Sequence, residues 1–190
     1  MIVMVLPDPV DDDTLLKRAR QGDKSAMTII YRQYVDPIYQ FCRLRLGNPQ
    51  QAEDITSTVF TRFIQSITQG NGPDRHLRGW LFQVARHAIY DSYGKKQPLP
   101  VETIGQWENL NSIDPEYEAY KTINADVLRE HVAMLSNDQQ DVLLLRFDQQ
   151  LSIRETADIL GKNENTVKAL QFRAIKRLRD LLQRSGMTSL

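Results

Sequence analysis

The stretch SIRETADILGKNENTVKALQFRAIKRLRDLL, Ser152–Leu182, decides how the rest of the chain is read. Ser152 followed three residues later by Glu155 is a capping box opening a helix. Ile153, Ala157 and Leu160 fall on one face of that helix, and Gly161 supplies a turn. Val167, Leu170, Ala174, Leu178 and Leu181 then recur at spacings of three and four, the apolar stripe of a second helix. Two short amphipathic helices hinged on a glycine predict a helix-turn-helix. Between Lys162 and Arg184 the basic residues are Lys162, Lys168, Arg173, Lys176, Arg177, Arg179 and Arg184, against only Glu164 and Asp180. At about 100° per residue, the side opposite the apolar stripe carries Asn165, Lys168, Ala169, Phe172, Arg173, Lys176 and Arg179. A helix lying in a DNA major groove needs such a face. Asn165, Lys168 and Arg173 are placed to read or grip bases, with Thr166 beside them, while Lys176, Arg177 and Arg179 suit phosphates.

Working outward, Ser136 with Gln139 repeats the capping box and opens the helix NDQQDVLLLRF. Toward the N-terminus, helical signals continue and alternating strand patterns are almost absent. A long helical segment breaks at Gly22–Asp23, where Asp23 can cap a second helix. Asn48 before Pro49 opens a third, whose Ile55, Val59, Phe63 and Ile67, with Phe60 and Ile64 beside them, form one apolar stripe. A further helix starts near His76 and stops at Gly94; its Trp80, Leu81, Val84, Ala85 and Ala88 read as core. From Lys95 the pattern lapses, with prolines and no sustained period, until Asp114–Pro115 restarts a helix. The expected architecture is all-α: two small helical domains joined by a flexible linker, the C-terminal one a helix-turn-helix. The boundaries expected are a tail over 1–13, a first lobe over 14–94, the linker over 95–124 and a second lobe over 125–190.

Composition limits what the chain can be. With 24 Lys and Arg against 24 Asp and Glu, the formal net charge is zero, so a nucleic-acid surface has to be a local face and not a bulk property. Cys42 is the sole cysteine, which excludes an internal disulfide and a cysteine-rich metal site. His76, His87 and His131 lie far apart without metal-ligand spacing, and the glycines form no phosphate loop. No metal, cofactor or enzymatic activity is expected. The short apolar start MIVMVLP is followed by DPVDDD and not by a cleavage site, so no membrane insertion and a cytoplasmic location are expected.

Several of these segments together are similar to a known family. From about Leu15 to Leu182 the chain resembles the small two-domain alternative sigma factors of bacteria, the extracytoplasmic-function type of the sigma-70 family. LSIRETADILGKNENTVKALQFRAIKRL resembles that family's promoter −35-reading region. RQGDKSAM and AEDITSTVFTRF resemble the helices that bind core polymerase, and RGWLFQVARHAIYDSY the region that handles the −10 element. The resemblance implies binding of core RNA polymerase and promoter DNA, with an anti-sigma factor as a further partner. It implies that Glu53, Asp54, Ser57, Phe60 and Arg62 face the polymerase, although Glu53 and Asp54 also suit the first turn of a helix dipole. It implies that Arg75, Arg78, Arg86, His87, Tyr90 and Tyr93 meet the −10 strand, where cations track the backbone and aromatic rings stack on unpaired bases.

The rival reading is a stand-alone helix-turn-helix regulator of the response-regulator type, whose C-terminal pattern is very close to this one. It requires a receiver domain of alternating strands and helices, whereas residues 14–94 read as helix after helix.

Overall fold

The computed structural model describes residues 11–95 and 129–184, and among these every regular element is a helix. The first lobe comprises α1 (Asp12–Arg20), α2 (Lys24–Leu46), α3 (Pro49–Thr68) and α4 (Leu77–Lys95). The second begins with helical residues 129–133 as α5, continues through α6 (Asn137–Leu143) and a π-helical turn (Leu144–Asp148), and ends with α7 (Ile153–Leu160) and α8 (Glu164–Arg184).

Local sequence sets most of these boundaries. The Asp23 carboxylate accepts from the Ser25 and Ala26 N–H groups, and the Asn48 side chain from the Gln51 N–H, so two helix starts are satisfied by their caps. Hydrogen bonds from Ser25 and Arg18 hold the Asp23 carboxyl well below the usual carboxylate range. Helix α2 runs straight through Pro37, which removes one backbone hydrogen bond and costs roughly 3 kcal/mol in a helix interior. Burial of Ile30, Tyr34, Ile38, Phe41 and Cys42 along the same helix offsets that cost. Cys42 lies wholly inside this face, and burial pushes its thiol up to about 12.

In the second lobe, the Ser152 hydroxyl accepts from the Glu155 N–H at 3.1 Å while the Glu155 carboxylate accepts from the Ser152 N–H at 2.7 Å. Helix α7 ends at Gly161, whose φ of 62° lies in the left-handed region, and the Lys162 N–H closes back on the Ala157 carbonyl at 3.0 Å. A Cβ at position 161 would meet nothing within 4 Å. Gly161→Ala is therefore expected to cost only the backbone strain, about 1–2 kcal/mol, read as a lower urea midpoint at unchanged slope.

Four sequence expectations change. Helix α1 begins at Asp12, inside the expected tail, because Leu15, Leu16 and Ala19 are buried and the Asp12 carboxylate accepts from Tyr34 and Gln33 of α2. Helix α4 does not stop at Gly94 but includes Lys95, the last residue described there. The helix expected over NDQQDVLLLRF leaves the α form after Leu143, and the wider turn that follows lets the consecutive Leu143, Leu144 and Leu145 all be buried. On α3, Ile64 is exposed and Ile55 half-buried, while Ala52 and Thr56 join Val59, Phe60, Phe63 and Ile67 inside. The expected linker and the helix restart at Asp114–Pro115 fall outside the described residues, as do residues 1–10 of the tail.

The two lobes share one core. Apolar side chains of α1 to α4 are continuous with Val142, Leu145, Leu151, Ala157, Ile159, Leu160 and Val167 of the second lobe. Trp80 sits at the edge of this core with its ring edge-on to Phe63 at 5.9 Å. A smaller cluster of Leu135, Leu143 and Ala174, with Leu178 and Leu181 against it, ties α8 to α6.

Candidate nucleic-acid interface

Helix α8 has the two faces its spacing predicts. Val167 and Ala174 are buried, with Leu170, Leu178 and Leu181 half-buried beside them. Asn165, Lys168, Phe172, Arg173, Lys176, Arg177 and Arg179 are exposed, and Ala169 is half-buried. Phe172 is 70% exposed, a large apolar ring standing in solvent amid cations. At the start of the helix, Asn163 accepts from both the N–H and the hydroxyl of Thr166, at 2.7 and 2.9 Å. That bond turns the Thr166 hydroxyl toward the cap, leaving Asn165 and Lys168 as the forward polar side chains. Arg173, Lys176 and Arg177 also line a shallow groove with Met134, Gln139 and Asp180.

The six residues assigned to the −10 strand do not share one environment. Arg75 and His87 are exposed. Arg78 donates to the Gln149 carbonyl at 2.6 Å, and the Tyr93 hydroxyl donates to the Arg45 carbonyl at 3.0 Å. Arg86 donates to Asp141 at 2.8 Å and to Asp138 at 3.2 Å, and the Tyr90 hydroxyl donates to Asp141 at 3.1 Å. The Arg86 guanidinium also lies 4.7 Å from the centre of the Tyr90 ring. Burial works against the Arg86 charge, but the Asp141 carboxylate outweighs it and raises the pKa. The Tyr90 hydroxyl is raised by burial and by the same carboxylate. Asp141 also accepts from Arg45 at 2.7 Å, and both side chains of that pair are almost wholly buried, 0% and 1% exposed. Sequence reading missed Arg45 and Asp141 because neither departs from the ordinary pattern of a polar helix position.

In the first lobe, Glu53, Asp54, Ser57 and Arg62 are exposed along α3, with Arg62 3.9 Å from Asp91 of α4. Phe60 is only 5% exposed, so it does not present a face of its own; it packs edge-on under Tyr31 at 4.9 Å. The exposed apolar side chains there are Tyr31, 49% exposed, and Ile64, 51% exposed, one turn beyond Phe60. A search for exposed apolar residues at helical spacing beside the acidic pair would have found Ile64, whereas Tyr31 sits on another helix. Among the described residues, no group of three His, Cys, Asp or Glu is placed to hold a metal ion, and no helix is long and apolar enough to cross a membrane.

Comparison with known proteins gives this geometry a family. Residues 30–98 match Sigma-70 region 2, and residues 125–178 match Sigma-70, region 4. Over 157 residues the chain is 30% identical to the ECF RNA polymerase sigma factor SigX of Bacillus subtilis, covering 80% of each chain. It is 34% identical over 170 residues to the ECF RNA polymerase sigma factor BldN of Streptomyces coelicolor, covering 88% of this chain but 64% of that one. The fold is similar to that of CnrH in its complex with the cytosolic domain of CnrY, at a TM-score of 0.71 and 20% identity, covering 91% of this chain and 97% of that one. It is also similar to the sigma factor RpoE of Bartonella quintana in complex with the anti-sigma factor NepR, at a TM-score of 0.65 and 20% identity over 82% and 96% of the two chains. The protein belongs to the ECF RNA polymerase sigma factors of the sigma-70 family. As a member it directs transcription initiation with RNA polymerase on promoter DNA, and the stand-alone regulator is not favoured, since the N-terminal half is region 2 instead of a receiver.

Proposed function

We propose that the two lobes divide promoter recognition, the second reading the −35 element as duplex and the first holding the melted −10 strand while docked on core polymerase. The observation that supports this most directly is the polarity of α8, whose exposed face gathers Asn165, Lys168, Arg173 and Lys176 while the opposite stripe is packed inside. Inserted in a major groove, Lys168 and Arg173 supply donors to base edges, and Lys176, Arg177 and Arg179 supply charge to phosphates. Arg75, His87, Arg78, Arg86, Tyr90 and Tyr93 supply the cations and rings that an unpaired strand needs. The docking face on core polymerase combines Glu53, Asp54, Ser57 and Arg62 with the apolar Ile64 and with Tyr31, which packs on Phe60.

A protein that masks these surfaces is a further proposed partner. Support comes from the similar structures, in which CnrH is bound to the cytosolic domain of CnrY and RpoE to the anti-sigma factor NepR. The chain acts in the cytoplasm and brings no catalytic group of its own, the chemistry being the polymerase's. Near-zero net charge suits a protein that gains promoter affinity only with the polymerase.

The test is in vitro transcription with bacterial core polymerase on a pool of promoter fragments, with product ends mapped. Discrete starts that need both proteins are expected; no starts, together with no co-migration of chain and core on a sizing column, would overturn the reading. Ile64→Asp is expected to weaken core binding by about 2 kcal/mol, the scale of an interface hot spot, without shifting the unfolding midpoint of the free chain. Comparing titrations of core with the two chains checks it.

A further inference from the structure

We propose that Arg20, the last residue of α1, is a positioning residue for promoter opening: it fixes the loop between α3 and α4 and so holds Arg75 in place for the −10 strand. The inference rests on the −10 role proposed above for Arg75. One guanidinium nitrogen of Arg20, Nη1, donates to the Gly72 carbonyl at 3.2 Å and to the Pro73 carbonyl at 3.1 Å, across 52 and 53 residues of chain. A cation in the last turn of α1 already suits the helix dipole. The dipole does not account for the reach onto two successive carbonyls of a distant loop.

The same loop is tied to α3 on its other side. Gly70 takes a left-handed φ of 78°, and the Asn71 N–H closes back on the Ser66 carbonyl at 3.0 Å. Gly72 then lies so close to α3 that a Cβ there would stand 2.7 Å from Ile67 Cδ1 and 3.2 Å from the Ile67 nitrogen. Pro73 has its φ set by its own ring, and Leu77, which opens α4, is fully buried. Only Asp74, Arg75 and His76 bridge these fixed ends, and all three are exposed. His76 carries a φ of 56°, which a residue with a side chain keeps only where its surroundings impose it. Arg20 imposes it from the α1 side, by holding the two carbonyls just before the bridge. A loop shaped before the strand arrives has less freedom to lose on binding. Without the Arg20 bonds the fraction of chains with Arg75 in place falls, and apparent affinity for the −10 strand falls in proportion.

The test is a double-mutant cycle in transcription with core polymerase, on promoters with intact and singly substituted −10 elements. Arg20 is exposed, so Arg20→Ala should fold as the unaltered chain does. It is expected to lower the ratio of intact to substituted output about tenfold, as when only about a tenth of the loops remain in place. Because Arg20 acts through Arg75, the variant carrying both Arg20→Ala and Arg75→Ala is expected to lose no more than Arg75→Ala alone. An unchanged ratio in Arg20→Ala, losses that multiply in the double variant, or an equal fall in the corresponding −35 ratio would each overturn the proposal. So would a matching loss of core affinity on titration, which would make Arg20 a polymerase contact instead. If Arg75→Ala itself leaves the ratio unchanged, the −10 role of Arg75 fails, and nitrogen-15 relaxation of the free chain decides the positioning on its own. The order parameter of the Arg75 amide is expected to drop from about 0.85, typical of rigid backbone, to below about 0.6 in Arg20→Ala. An unchanged order parameter would overturn the positioning.

Discussion

Phe41→Ala is expected to destabilise the chain by about 3–5 kcal/mol, a cost at the top of the range for a single core substitution. Phe41 is fully buried on α2, and its ring meets Phe82 of α4 edge-on at 5.5 Å. Its removal deletes the apolar surface, the ring pair and the packing that seats α4, and neighbours such as Leu81 and Ile38, themselves in a continuous core, have little freedom to collapse into the space. A thermal melt followed by circular dichroism measures it, and a midpoint drop on the order of 10 °C corresponds to that cost for a chain of this size. Phe41→Leu, which keeps most of the volume, is expected to recover more than half of the loss.

The largest expected effect on activity is that of Lys168→Ala combined with Arg173→Ala. Each removes a long donor from the exposed face of α8, and each is expected to cost about 1–3 kcal/mol of promoter discrimination if its contact is to a base edge. Neither residue is buried, so folding should be unaffected. The double variant is expected to lose on the order of a hundredfold in −35-dependent transcription, the two losses adding to the extent that the side chains act independently. Output measured on promoters with intact and scrambled −35 elements separates the roles. A loss confined to the intact element marks base reading, and an equal loss on both marks phosphate contact.

How much of this was legible in sequence depends on the range of the interaction. The α7–Gly161–α8 unit was legible in detail, because a capping box, a left-handed glycine and an apolar stripe are local signals that agree with one another. The two faces of α8 followed from spacing alone. The face on α3 was only half legible: its acids are a linear motif, but Tyr31 reaches it from α2, and Ile64 falls so near the apolar stripe that spacing alone put it inside. The start of α1 was hidden by three consecutive aspartates, which resemble a solvated tail until Tyr34 and Gln33 are brought against Asp12. Least legible was the junction of the lobes. Arg45 and Asp141 are 96 residues apart, and a charged residue in a helix ordinarily faces water, so nothing local marks either as buried. The same range hid that Arg86, expected at the −10 strand, is paired with two carboxylates.

The enclosure of Cys42 carries a different consequence. With burial pushing the thiol up to about 12, the nucleophilic thiolate is scarce at neutral pH, and the sulfur is fully enclosed. Peroxide, disulfide reagents and soft metals therefore find no thiol handle on this sigma factor, since the chain has no second cysteine. If its output responds to thiol oxidants in the cell, the reacting thiol belongs to another molecule, whereas the exposed Met134 is the kind of sulfur that peroxide can still reach.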